Sequence, residues 1–368
     1  MAVGTNLQNV LGGRQLSGTI ELIKPGLPVE QLPAGLLTPT LGIEGVHHTM
    51  RQREGTRRTP ARAEYGAPSR RYTPKGVKEQ SVTLNHFSHN VEIKAATLVN
   101  LESDSGQRQR LGEQEVERIV TETKTFLENG RAASVMSAFA LGKIHYNSDG
   151  ELLPSSSGAQ VTVDYAIPSG NLNQLAINGG SAVIDASWAN PATKIVKQMT
   201  NLMKASGKFT NYKPAVAMYG SKIPDFLYNN DQVQQYMKNN PRFQEAFVTG
   251  SIPDGFLGIK KWHPAYLSYF EDASGTQQEI FASDSITFMP EVSSEWYGFV
   301  EGTTPIPGSF GTAKPDLSAV LRDVAMQRGM FAYAYGTVDP VGATMVFGDT
   351  YLPEIIVPNA VFIADVEF

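Results

Sequence analysis

The side chains able to do chemistry are few and scattered. The chain carries six histidines, at positions 47, 48, 86, 89, 145 and 263, and no cysteine. The lack of cysteine rules out thiolate zinc sites, disulfide frameworks and cysteine nucleophiles. His86 and His89 stand three apart, which would place them on one face of a helix. The surrounding Ser81–Ile93, however, alternates like a strand, and no carboxylate cluster accompanies the pair. His47 and His48 are adjacent and would point apart on an extended chain. A serine could meet His145 or His263 in space. Yet the sequence has no nucleophile elbow, phosphate-binding loop, dinucleotide fingerprint, zinc-protease helix or calcium loop. This reading assigns no catalytic residue, no metal and no cofactor.

Charge carries the stronger signal. Between Arg51 and Lys78 lie nine cations and only two acids, Glu54 and Glu64, so this segment is +7 within a chain of net charge −5. The remainder is therefore −12. Most of the surplus acid falls in residues 254–301, at −6, and 316–368, at −5. Arginines among glycines and prolines suit a nucleic-acid backbone. Only Tyr65 and Tyr72 offer stacking surfaces there, though, and the rest of the chain would repel a polyanion. The acidic body of a second copy is the better electrostatic match. The residues expected to make that contact are Arg57, Arg58, Arg62, Arg70, Arg71, Lys75 and Lys78.

The elements that must hold such a segment follow from composition and periodicity. The 368 residues are 41% hydrophobic, enough for a sizeable core, and 18% charged, below the roughly 25% of an average soluble domain. No apolar run approaches the roughly 18 residues of a membrane span, and Met1 to Leu22 lacks the pattern of a secretory signal. A soluble protein of cytosolic origin is expected. Residues 1–45 show no sustained period and contain Pro25, Pro28, Pro33 and Pro39, but are too apolar for a free linker. They read as an extended arm lying on another surface, or on its own domain. Residues 46–80 form a long polar loop.

Residues 109–142 carry a single apolar stripe at helical spacing, with Glu113, Glu115 and Glu117 at its start, Gly130 inside and Gly142 as terminator. Gly130 costs a helix about 1 kcal/mol relative to Ala and suits a bend. Gln160–Ile167 alternates as a strand. A second helix is expected with Asn190 as cap, Pro191 at its first position and Gly207 at its exit. Pro214–Tyr219, Gly258–Trp262 and Glu279–Met289 read as strands. Ser221–Tyr228 and Asp231–Lys238 read as short helices, the latter capped by Asp231. Residues 188–295 thus form an α/β unit. Four runs close the chain as strands: Phe331–Tyr335, Ala343–Phe347, Glu354–Val357 and Val361–Phe368.

This order of arm, basic loop, long helix, α/β lobe and strand-rich end resembles the tailed-phage major capsid proteins of Hong-Kong-97-like fold. In detail it is similar to the phage lambda major capsid protein E family. The resemblance is carried by Arg71-Tyr72-Thr73-Pro74-Lys75-Gly76-Val77-Lys78, by Trp188-Ala189-Asn190-Pro191-Ala192-Thr193-Lys194 with Gly207, and by the strand, turn and final strand of Tyr351–Phe368. It implies an α+β chain divided into an N-terminal arm (1–42), an extended loop (43–92), a peripheral domain with its spine helix (93–187), an axial domain (188–295) and peripheral C-terminal strands (296–368).

It also implies a structural protein and no enzyme: a shell of pentamers and hexamers enclosing double-stranded DNA without sequence-specific contact. The virion, and the host cytoplasm during assembly, are the implied locations. A separate scaffolding protein, a portal and a decoration protein are the implied partners. Some relatives join a loop lysine to a peripheral asparagine; Lys75, Lys78 and Asn359 stand in comparable regions, with Glu354 and Asp365 as candidate proton acceptors. The lambda-type resemblance implies no such bond. Alternative readings are an encapsulin-type compartment shell, a cofactor-free hydrolase and a DNA-binding module.

Overall fold

The computed structural model describes residues 10–23, 32–53, 76–103, 105–210, 212–238, 245–247, 250–265, 270–271, 275–310, 324–338 and 341–368. The chain opens with helix α1 (Gly13–Leu22). Strands β1 (Leu41–Glu44), β2 (His47–Arg53), β3 (Val77–Thr83) and β4 (Asn85–Lys94) follow, then α2 (Ala95–Leu101) and the long α3 (Gly106–Leu141). Next come β5 (Lys143–Tyr146), β6 (Leu152–Leu153), β7 (Val161–Asp164) and β8 (Leu172–Asn173). The middle section holds α4 (Ile195–Phe209), β9 (Val216–Tyr219), α5 (Ile223–Asn229), α6 (Asp231–Met237), β10 (Lys261–Pro264), β11 (Phe270–Glu271), β12 (Gln277–Gln278) and β13 (Ser285–Met289). Strands β14 (Tyr297–Pro307), β15 (Val324–Arg328), β16 (Phe331–Val338), β17 (Val341–Ile355) and β18 (Phe362–Asp365) complete it.

Two sheets organise these elements. The larger runs β1-β14-β17-β16, with β15 added to β14 and β4 to β17. The second runs β10-β9-β13-β18-β8. Helix α4 lays Ile195, Met199 and Leu202 against Ala217, Tyr219, Phe288 and Phe362 of the second sheet, closing one core. Helix α3 spans about 54 Å at 1.5 Å per residue and serves two further cores. Its first half packs Val116, Ile119, Val120 and Leu127 beneath α1 and the large sheet. Its second half, including Ala132, Val135, Met136 and Phe139, packs among Trp296, Tyr297, Phe299 and Leu352.

Several boundaries differ from expectation, each for a physical reason. The 1–45 segment contains a helix, α1, whose Leu16 and Ile20 are buried and whose Ser17 hydroxyl bonds the Ala332 carbonyl at 3.1 Å. Farther on, Leu32 and Leu36 are buried in the chain's own core. Helix α3 starts at Gly106, so its glutamates lie past the first turn. It ends as expected at Gly142, which adopts φ 66°, the left-handed conformation glycine favours. Phe126, part of the expected stripe, is 52% exposed.

Helix α4 begins at Ile195, not Pro191, and Gly207 lies inside it. Asn190 makes a local turn instead, its Oδ1 accepting from the Ala192 amide at 3.1 Å. Asn230, not Asp231, caps α6 by accepting from the Gln232 and Val233 amides. The expected strands Ala343–Phe347 and Glu354–Val357 are largely one strand, β17. Pro353 is accommodated because β4 stops pairing at Tyr351, which leaves the missing donor at a one-sided stretch. The expected strand Glu279–Met289 is confined to Ser285–Met289.

Candidate assembly site

The basic segment is carried on a hairpin whose base is fixed to the body. Strands β2 and β3 pair antiparallel from His47↔Thr83 to Arg53↔Val77. Met50, Gln52 and Val82 point inward and are buried. The Gln52 side-chain amide donates to the Tyr165 carbonyl at 2.8 Å, and the Arg53 amide donates to the Ile356 carbonyl at 2.7 Å. Glu354, itself buried, accepts from the Arg51 amide at 3.2 Å and meets His48 Nε2 at 3.1 Å. The hairpin is thus a packed strand pair up to Arg53 and Val77.

Of the seven expected contact residues, only Lys78 lies among the described residues. It is exposed on β3, opposite Gln52. Its charge helps hold Asp164 below the usual carboxylate range; burial opposes this, and the Ala166 amide and Lys143 are the stronger lowering influences. Arg57, Arg58, Arg62, Arg70, Arg71 and Lys75 lie outside the described residues.

The acidic stretches are less available than their linear tally suggests. Asp349 and Glu301 are buried on either side of Arg131, at 2.5 and 2.9 Å. Glu354 faces His48, Glu291 pairs with Lys260 at 2.8 Å and Glu367 with Lys222 at 2.6 Å. Asp254, Glu279 and Glu295 are exposed acids of these stretches. Asp365, half-buried, has its pKa raised by burial and by Asp284.

In the second half of α3, Gly130 has room around it. A Cβ built there would meet only the Tyr351 hydroxyl, at an ordinary 3.6 Å. Its neighbour Arg131 is buried and makes two bonds to Asp349, with its guanidinium over the Phe299 and Tyr351 rings. Burial works against that charge, but Asp349 and Glu301 outweigh it and hold Arg131 above the usual range. No sequence signal pointed to this network, because its partners lie some 170 to 220 positions apart.

Three of the histidines are tied to neighbouring side chains. His86 stacks on Phe331 and bonds Thr350 at 2.8 Å, while His89 meets the edge of Phe126 at 5.1 Å. His145 bonds Thr162 at 2.9 Å. Among the described residues no three potential metal ligands cluster, and no helix is long and apolar enough to cross a membrane. A groove of about 390 Å³ runs between β4 and α3. Of its three carboxylates, Glu92, Glu115 and Glu122, the last two are tied to Arg118.

A long helix under a large sheet, a second α/β layer and an anchored hairpin carrying a basic run form an arrangement suited to joining copies. The sequence profile of the family described as phage major capsid protein E matches residues 29–301. The chain belongs to the phage major capsid protein E family. No curated protein matches its sequence.

The capsid protein is similar in structure to a protein described as a prophage capsid protein from Escherichia coli CFT073. The TM-score is 0.53 at 12% identity, over 79% of each chain. A phage-related protein from Bordetella bronchiseptica RB50 superposes with a TM-score of 0.50 at 12% identity, over 97% of this chain and 98% of that one. The fold is accordingly the Hong-Kong-97-type α+β capsid fold. An encapsulin from Synechococcus elongatus PCC 7942 reaches a TM-score of only 0.40 at 10% identity, over 95% and 94% of the two chains. As a phage major capsid protein, the chain is a structural component of the virion.

Proposed function

We propose that this capsid protein builds an icosahedral head of pentamers and hexamers around double-stranded DNA, with the basic hairpin of each copy reaching onto the acidic body of its neighbour. The anchored hairpin base carries the reading: a fixed strand pair brackets the basic run, and Asp254, Glu279 and Glu295 of the acidic stretches are exposed. One exposed ion pair contributes only about 0–1 kcal/mol, so the strength of the contact comes from several pairs repeated on every copy. In the same reading, 1–42 is the arm, 43–92 the extended loop, 93–187 and 296–368 the peripheral domain, and 188–295 the axial domain. A scaffolding protein and a portal act during assembly in the host cytoplasm, a decoration protein follows, and packaged DNA is enclosed without base-specific contact.

Replacing Arg57, Arg58, Arg70 and Arg71 together by Ser tests the proposal. Electron microscopy of the chain expressed with its scaffold is expected to show few shells, or shells that dissociate at high salt. Intact, equally stable shells that lose their DNA would assign the loop to DNA instead.

A further inference from the structure

We propose that a one-way chain of hydrogen bonds couples the exit of the hairpin to the second half of the spine helix α3. The proposal rests on the reading of the hairpin as the inter-subunit arm, and gives that arm a route into the body of its own subunit.

Asn85 is the first residue of β4 and follows the hairpin almost directly. Its side-chain amide donates to the Tyr146 hydroxyl at 2.6 Å. Tyr146 Oη lies 3.3 Å from Ser134 Oγ, and Tyr351 Oη lies 2.9 Å from the same atom. Ser134 Oγ in turn donates to the Gly130 carbonyl at 2.9 Å. The two ends set the direction, because an amide N–H can only donate and a carbonyl can only accept. Tyr146 therefore receives from Asn85 and donates to Ser134, Tyr351 also donates to Ser134, and Ser134 donates to Gly130. The serine has one hydrogen and two lone pairs, so its capacity is filled.

Ser134, Tyr146 and Tyr351 are all buried. Burial pushes both phenols above their usual range, so they remain O–H donors. Bonds in such a row polarise one another, so a change at one end is felt at the other. The far end is a sensitive place. The Gly130 carbonyl is the regular partner of the Ser134 amide within the helix. A serine hydroxyl sharing the carbonyl four residues back weakens that bond and favours bending. A pull that draws Asn85 off Tyr146 leaves a buried phenol oxygen short of a donor. The hydroxyl of Tyr146 then loosens its hold on Ser134.

Hydrogen exchange on the unassembled protein tests the coupling, with amides of α4 as internal reference. Asn85→Asp places an acceptor where the donor stood, so the Tyr146 hydroxyl turns toward the carboxylate and away from Ser134. With its hydroxyl no longer polarised by Tyr146, Ser134 competes less for the Gly130 carbonyl, so exchange of the Ser134 amide is expected to fall about five-fold or more, by a larger factor than in Asn85→Ala. In a Tyr146→Phe background neither substitution should add anything. The proposal is overturned by unchanged or faster exchange of the Ser134 amide in Asn85→Asp, by a change that survives Tyr146→Phe, or by a fall shared equally with α4. Asn85 is only half-buried, so both substitutions are mild. Because shells are not required, failure here leaves the proposed function standing, and electron microscopy of the same variants tests that separately.

Discussion

Arg131 is a positive charge enclosed by the protein, and the stability of the chain depends on how it is compensated. Asp349 meets it with two bonds at 2.5 and 2.7 Å, and Glu301 adds a third contact while also facing Arg328 at 3.3 Å. Taking two charges out of water costs nearly as much as their attraction returns, so the pair as a whole contributes little net stability. Removing one partner leaves the other buried and uncompensated, at about 3–5 kcal/mol. Asp349→Ala is therefore expected to destabilise the chain by that amount in denaturant unfolding. The double replacement Arg131→Met with Asp349→Leu should lose far less, since Glu301 keeps Arg328. Equal losses in the single and the double variant would mean that packing, not charge, governs the site. Nothing at the residue scale made this legible beforehand. Arg131 carries no sequence signal of burial; only the strands that carry Asp349 and Glu301 reveal its partners.

At the scale of elements, the long helix was legible because its stripe repeats over about seven turns, from Val116 to Leu141, whereas short elements were not. Helix α1 has buried Leu16 and Ile20 at helical spacing, but Gly13 and Gly18 lower its intrinsic preference. Gly13 is needed because a Cβ there would lie 2.3 Å from the Pro307 carbonyl. Packing settles what propensity left open. The start of α4 failed for a related reason: Asn230 donates to the carbonyls of Pro191 and Thr193 at 2.9 and 2.8 Å, holding that stretch as a turn. Gly130 yields the prediction at this scale. Its surroundings would accept a methyl group, so close packing does not explain the glycine. Gly130→Ala should raise helix stability by about 1 kcal/mol, seen as a higher melting temperature of the unassembled chain. Precursor shells should form normally. If the helix bends when the shell expands, expansion followed by time-resolved electron microscopy should slow or stop. Expansion at the normal rate would remove any special role for this residue.

At the scale of the whole molecule, the separation of charge into a basic segment and an acidic body was legible from the order of residues alone. Which acids remain free was not, because that depends on tertiary contacts such as those of Glu301, Asp349 and Glu354. The same contacts bear on covalent joining of copies. A lysine that attacks the Asn359 side chain must lose a proton as ammonia leaves, and a nearby carboxylate has to accept it. The amide itself is well placed, since Asn359 Oδ1 is buried with no hydrogen-bond partner among the described residues. The acceptor is what is lacking. Glu354 is engaged by His48 and by the Arg51 amide beneath the hairpin base. Asp365 ends β18, paired opposite Ser285 of β13. Mature particles boiled in denaturant are therefore expected to run as a single band at the 40.0 kDa of one chain. A ladder of higher bands would show that a neighbouring copy supplies the missing carboxylate. Glu354→Gln would then separate the two sources: a ladder that persists excludes Glu354 as the base, and one that vanishes while shells still form assigns it that role in the assembled state.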